Sequence, residues 1–352
     1  MNPFAAVASL LIIACALLSV PLIPAIRELL GHSDAVPLSI IQQHAGEIRY
    51  FADSFRTYIQ PLESVLRECA SSGRNATGIL ADGTGYIVLA NGNDAMALPL
   101  QNGECSVLIA SATDLVLTSY ARFAKDIYSL AGLVAGENNQ YRALLADGDI
   151  YLGKRSSLLR WAHSSGGFSA GESCTLQARV SSDSRIQLAG GCTFVRLNAP
   201  RIDFGQPLYT SAAPTVDPPN TALISKRTLH DGDFEIPSRE TFHGNLVVRG
   251  KLHIGSGARV YGSVKSENDL FINPGAQVQG SLISERNLVI GPNCRIHGPI
   301  IAEREASIGG GTHCGEPQRL STVSALRMKV ASGVVVFGSV WAREHGEVVS
   351  SL

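Results

Sequence analysis

Four histidines, His243, His253, His297 and His313, fall within positions 243–313 of this 352-residue chain. Imidazole is the side chain best suited to moving protons at neutral pH, and three converging histidines would hold zinc. Two thiols, Cys174 and Cys192, stand eighteen residues apart. On adjacent rungs of one sheet their α-carbons would lie ~5 Å apart, within reach of a disulfide. The cluster Arg160-Trp161-Ala162-His163, flanked by Arg142 and Arg196, offers a basic edge. Such an edge could take an anionic partner, a lipid headgroup or a cell-wall precursor. What any of these residues can do depends on the elements that carry them.

The governing element is a repeat. Glycine opens four consecutive eighteen-residue units at Gly244, Gly262, Gly280 and Gly298. The ninth place holds Leu252, Leu270, Leu288 and Ala306, and the eleventh holds Ile254, Ile272, Ile290 and Ile308. Small residues take the fifteenth place: Ala258, Ala276, Cys294 and Thr312. Two inward side chains separated by one outward residue make a short strand of period 2, and a glycine or an X-Pro pair turns the corner. Three such sides close a coil, and coils stack ~4.8 Å apart as parallel sheets because a lone coil cannot bury its inner face. Leu252, Ile254, Leu270, Ile272, Leu288, Ile290 and Ile308 are the expected core ladder.

The same clock ticks in an earlier block, where Ile150/Leu152, Phe168/Ala170 and Ile186/Leu188 are eighteen apart. The expected organisation is a block over 77–205, a Pro-rich linker over 206–230, a second stack over 231–345 and a tail at 346–352. Residues 316–325 are expected to loop out. Ahead of these, apolar residues at helical spacing through 28–72 predict a helical neck, split by Pro61, that packs its apolar face on the domain behind it or else serves as a spacer or self-association helix beside the membrane. Phe4 to Ile26 is 23 uncharged residues, about 34 Å as a helix and long enough to cross a bilayer. Phe4, Leu10, Leu11, Ile12, Ile13, Leu17 and Leu18 would form its lipid-facing surface. Arg27, Arg49 and Arg56 all follow the segment, which predicts a single-pass protein with its bulk in the cytoplasm. A net charge of −1 with 17% charged residues gives no nucleic-acid footprint. Seven dispersed cysteines fit a reducing compartment. The fold class expected is mainly β: a three-sided parallel β-helix behind one transmembrane helix and a helical neck.

In this register all four histidines point outward, and none shares a face of an adjacent coil with an evident carboxylate. Cys174 and Cys192 fall in the small-residue column with Ser156. Arg142, Arg160 and Arg196 read most simply as a corner salt-bridge ladder with Asp147 or Asp183. The last coil, Val334 to Trp341, is unusually apolar. Val335, Phe337 and Trp341 stand at outward places, so they are the candidate self-association surface, or else they pack under the 316–325 loop or against the first block.

Units of the form G-x-[LV]-x-x-x-x-x-L-x-I-G-x-G-A-x-V-x behind a membrane anchor resemble the bactofilins, most clearly over 232–345. The resemblance implies a right-handed β-helix that polymerises end to end without nucleotide. It also implies a filamentous bacterial scaffold at the inner membrane with a role in cell shape, no cofactor and no catalytic residue. Its partners would be its own copies, the membrane, and envelope or wall-remodelling proteins. The 77–205 block departs from compact members of that family. Two other classes share the period: a membrane-tethered hexapeptide-repeat acyltransferase and an exported envelope structural protein. The acyltransferase would need a general-base histidine at a subunit cleft.

Overall fold

The computed structural model describes residues 49–93, 98–205 and 227–352. Within them the period becomes a register. Leu252 pairs with Leu270, Leu270 with Leu288, and Leu288 with Ala306, each one unit further along in parallel strands. Ile254, Ile272, Ile290 and Ile308 follow the same register two residues on. All seven ladder residues are buried, and each such rung contributes on the order of 2 kcal/mol relative to exposure. The chain forms a β-solenoid of about 13 turns in two stacks.

In the second stack one face carries Arg227–His230, Asn245–Val248, Val264–Ser266, Leu282–Ser284 and Ile300–Ala302. The next carries Phe234–Ile236 through Glu305–Ile308, and the third Thr241–His243 through His313–Cys314. The first stack has the same three-sided plan. Its principal face runs from Gly85–Leu89 through Leu108–Ser111 and Ile127–Ser129 into the longer strands Gln140–Ala146, Ser157–Ser164, Thr175–Ser182 and Thr193–Phe204.

Two devices hold the corners. A side chain at Gly280 would run into the backbone of Gly262 and Ser263 one coil back, and one at Gly298 into Gly280 and Ser281. Glycine opens each unit because coils touch there backbone to backbone. The second device is an inward hydrogen bond to a corner carbonyl. Ser284 Oγ donates to Asn268 O at 2.7 Å, and Ser182 Oγ to Gly166 O at 2.6 Å in the first stack. The fifteenth place does the same: Thr312 Oγ1 reaches Gly291 O at 3.0 Å and Cys192 Sγ reaches Gly171 O at 3.0 Å. Small donors stand there because a buried carbonyl without a partner costs about 1–3 kcal/mol.

Two helices precede the strands: α1, Tyr50–Ile59, and α2, Glu63–Ser72, joined by a 3₁₀ turn at Gln60–Leu62 that contains Pro61. They are not a free neck. Ala52, Phe55, Ile59, Leu62, Leu66 and Cys69 form a second core with Val88, Leu108, Ala110, Tyr128 and Leu145 on the outside of the principal face.

Four expectations change. No helix among the described residues is long and apolar enough to cross a membrane. Each described helix has 10 residues, about 15 Å against a ~30 Å hydrocarbon core. The expected transmembrane element of the fold, and the single-pass inner-membrane location drawn from it, are corrected accordingly. Phe4, Leu10, Leu11, Ile12, Ile13, Leu17 and Leu18 lie outside the described residues. The predicted loop is shorter, because strand pairing resumes at Ser321 after the turn closed by Glu316 and Arg319. Strand Arg227–His230 already belongs to the second stack, and strand Val335–Val349 runs through most of the expected tail.

Candidate interaction site at the ends of the rod

The first stack ends on strand Thr193–Phe204 and the second on strand Val335–Val349. These two last turns pair with each other, antiparallel, along all three sides. Phe194 faces Gly346, Leu197 faces Val340 and Ile202 faces Val336. Every other contact between solenoid turns described above is parallel, so chain direction reverses at this seam. The two stacks meet tail to tail and share one continuous apolar core. An open solenoid end exposes unpaired strand edges and an apolar cross-section; here each end caps the other. A polar contact crosses the seam, Asn198 Nδ2 donating to Ser339 Oγ at 2.8 Å. Beside it, within the first stack, buried Asp203 accepts from Arg185 at 2.6 Å and Arg201 at 2.8 Å.

Val335, Phe337 and Trp341 lie at this seam rather than at a free end. Val335 is buried opposite Asp203. The Arg201 guanidinium sits 6.0 Å from the Phe337 ring and that of Arg196 5.4 Å from Trp341. The apolar patch read from the sequence is the half of an intramolecular joint that the second stack supplies.

The basic edge dissolves for a different reason. Leu158 and Trp161 of one strand pair with Tyr141 and Ala143 of the coil before, so a bulge sets Leu159 and Arg160 together against the single position of Arg142. A second bulge, between Leu176 and Arg179, sets Arg196 on Arg179, in the column of Trp161 rather than of Arg160. Arg142 Nε lies 3.4 Å from Asp126. The acids expected to pair with the edge instead meet the helical segment, Asp183 with Arg49 at 2.6 Å and Asp147 with Arg56.

The histidines do not converge. His253 stacks on Phe271 with centroids 4.5 Å apart, and His243 on Tyr261 at 5.0 Å. His297 does have a carboxylate partner, Glu316 at 2.7 Å, supplied by the turn that breaks the repeat and so invisible to a periodic reading. Burial holds His313 below the ordinary imidazole range. Among the described residues no three His, Cys, Asp or Glu side chains gather as a metal site. Cys174 and Cys192 are free, buried thiols. Burial pushes Cys294 up to about 11 and Cys314 up to about 12, which leaves both as neutral thiols and poor nucleophiles near pH 7.

The two outer ends differ. At the first stack, strand Ala76–Ile79 folds back antiparallel on Gly85–Leu89 and occupies its edge. At the second stack, strands Arg227–His230, Phe234–Ile236 and Thr241–His243 pair only with the following coil among the described residues. Leu229 is 54% exposed there, and Phe234 and Phe242 are only half-buried against the core. The sequence shows this end only as the place where the clock starts.

Among the described residues the fold defines a parallel β-solenoid rod with one sealed seam and an unpaired strand edge on each side of the 227–243 coil. No known protein family, curated protein or solved structure matches the chain.

Proposed function

We propose that this protein is a non-enzymatic structural scaffold that assembles through solenoid ends, using the open coil at 227–243. The observation that carries the reading is the seam between Thr193–Phe204 and Val335–Val349, where two coil ends of this same repeat pair antiparallel within one chain. A second copy meeting the 227–243 end head to head would bury the same kind of surface: three strand edges and the half-exposed aromatic rungs Phe234 and Phe242. The bactofilin-like period of the second stack supports the same reading. With the opposite end occupied by a hairpin strand, pairing through 227–243 alone gives a closed two-chain rod. Filaments would require the outer edge of Ala76–Ile79 to accept a partner as well.

Sedimentation velocity and electron microscopy of the full chain test this. The expected result is a species of twice the chain mass and about twice its length. Replacing Leu229 and Glu235, both exposed at the open end, with lysine should return it to one chain. A protein that stays monomeric at tens of micromolar would overturn the proposal, as would an assembly indifferent to both substitutions.

A further inference from the structure

Between α1 and the principal face of the first stack lies a cleft of about 400 Å³, a volume typical of small-ligand sites. Its apolar wall is aromatic: Phe51, Phe55, Tyr58 and Trp161, with Leu108 beneath. Phe55 and Trp161 pack edge to face with centroids 5.5 Å apart. Phe51 and Tyr58 are 39% and 37% exposed at the rim, with the Arg179 guanidinium 4.9 Å from the Phe51 ring and over one of its faces. Aromatic side chains left half-open beside one another on a helix otherwise docked by its apolar face call for an occupant.

The polar groups of the cleft come in balanced pairs, Lys125 and Arg142 against Asp82 and Asp126. Asp82 is organised by its neighbours, accepting from Tyr58 Oη at 2.8 Å and Thr84 Oγ1 at 3.1 Å. Asp126 is not. Its Oδ1 is buried, Arg142 Nε lies 3.4 Å from it outside hydrogen-bonding geometry, and no donor among the described residues satisfies it. Burial lifts the Asp126 carboxyl above the ordinary range, with Arg142, Arg160 and Lys125 opposing that rise. That oxygen is enclosed against Arg142, so it is the remaining, partly exposed part of the carboxylate that a hydroxyl or N–H bound in the cleft would meet.

The geometry points to a binding site for a neutral sugar ring, a hexose or N-acetylhexosamine unit of an oligosaccharide. A pyranose presents an apolar C–H face to aromatic rings and a rim of hydroxyls that both donate and accept. The aromatic wall, the acceptor at Asp126 and the donors at Lys125 and Arg142 match those two features together. A phosphate or carboxylate ligand would face two aspartates, and a cation would face a lysine and an arginine. A flat apolar ligand would desolvate the charged rim of Asp82, Lys125, Asp126 and Arg142 without replacing its hydrogen bonds. The inference is independent of end-to-end assembly, since none of these residues lies in the 227–243 coil.

The chain has two tryptophans, so a Trp341→Phe background leaves Trp161 as the sole indole reporter. Titrating that full-length variant with cellotetraose, maltotetraose and chitotetraose should give a saturable Trp161 emission change with at least one, half-complete at or below about 1 mM. Asp126→Asn and the rim variant Phe51→Ala, each with unchanged circular dichroism, should weaken it at least tenfold. Co-sedimentation with insoluble cellulose and chitin distinguishes a free oligosaccharide from a polymer chain as the natural source. Silence with every soluble and insoluble glycan overturns the inference. So does tighter binding of an oligogalacturonate, or binding indifferent to both variants.

Discussion

The two stacks are built on one plan and finished differently. On the first, α1 and α2 cover the principal face, so Val88, Leu108, Tyr128 and Leu145 become a second core outside the sheet. That sheet crosses the seam into the second stack, where the outward row reads Trp341, Ser324, Ile301, Ile283, Lys265, Val247 and Leu229. No helix covers this row among the described residues. In the first stack Ala76–Ile79 covers the outer edge of the principal face, whereas among the described residues no strand covers the corresponding edge of Arg227–His230. A repeat therefore settles only its interior. Its outer faces and ends can be finished in opposite ways, and that finish decides where partners can attach.

The largest test of the common plan strikes the glycine corner. Gly280→Val should destabilise the second stack by about 3 kcal/mol or more through collision with the Gly262 backbone. Gly190→Ala in the first stack, where a Cβ meets nothing within 4 Å, should shift stability by no more than about 0.5 kcal/mol. Thermal melts followed by circular dichroism compare the two, and equal losses would mean the corners are not under backbone contact.

The seam comes next. Leu197→Ala empties a fully buried site opposite Val340 and should cost about 3 kcal/mol. If the seam makes one cooperative rod, hydrogen exchange should accelerate in the last coils of both stacks. Acceleration confined to the first stack would show that the two fold independently.

The covered and uncovered faces can be separated by a pair of truncations. Phe55→Ala removes a side chain 5% exposed beneath the helices and should cost about 3 kcal/mol. Ile283→Ala, on the half-buried outward row, should cost less than about 1 kcal/mol. Chemical denaturation gives both values, and a cost at Ile283 comparable to Phe55 would mean that the row is covered.

The smallest effect is acidic. His163 is 4% exposed, and burial lowers its pKa from 6.5 in spite of Asp183 nearby. Arg49 and Arg56 of the helical segment and Ser181 Oγ at 2.9 Å also face it. The folded state thus binds its proton less readily than the unfolded state. The stability this group contributes is present above pH 6.5 and declines as pH falls from there through the lower folded pKa. His163→Gln should flatten that slope for the first stack in melts between pH 7 and pH 5, and an unchanged slope would assign acid sensitivity elsewhere.

Much of the interior was legible because period-2 alternation within an eighteen-residue repeat has few physical solutions. Leu252 through Ile308 could be placed as rungs, and Gly280 and Gly298 as corners, before any coordinates. The hydrogen-bonding role of Cys174, Cys192 and Thr312 was not legible; the sequence showed only that they were small. The basic edge failed because two bulges, at Arg160 and between Leu176 and Arg179, break the register that counting assumes. The cleft beneath α1 could not be read either, since Phe51 and Tyr58 lie on a helix outside the repeat that carries Lys125 and Trp161, and only tertiary packing brings the two together.

The sequence by itself determined the repeat, its inward residues and the parallel stacking of coils, because a short amphipathic side can bury its apolar residues only against its own successor. It could not say what each stack does when its repeat stops. That two final turns meet antiparallel and that helices plate one face depend on contacts between residues far apart in the chain, 141 positions in the case of Asn198 and Ser339. Nothing local encodes such pairings. They are settled when the unpaired edges left by each stack find the partner that buries most of them.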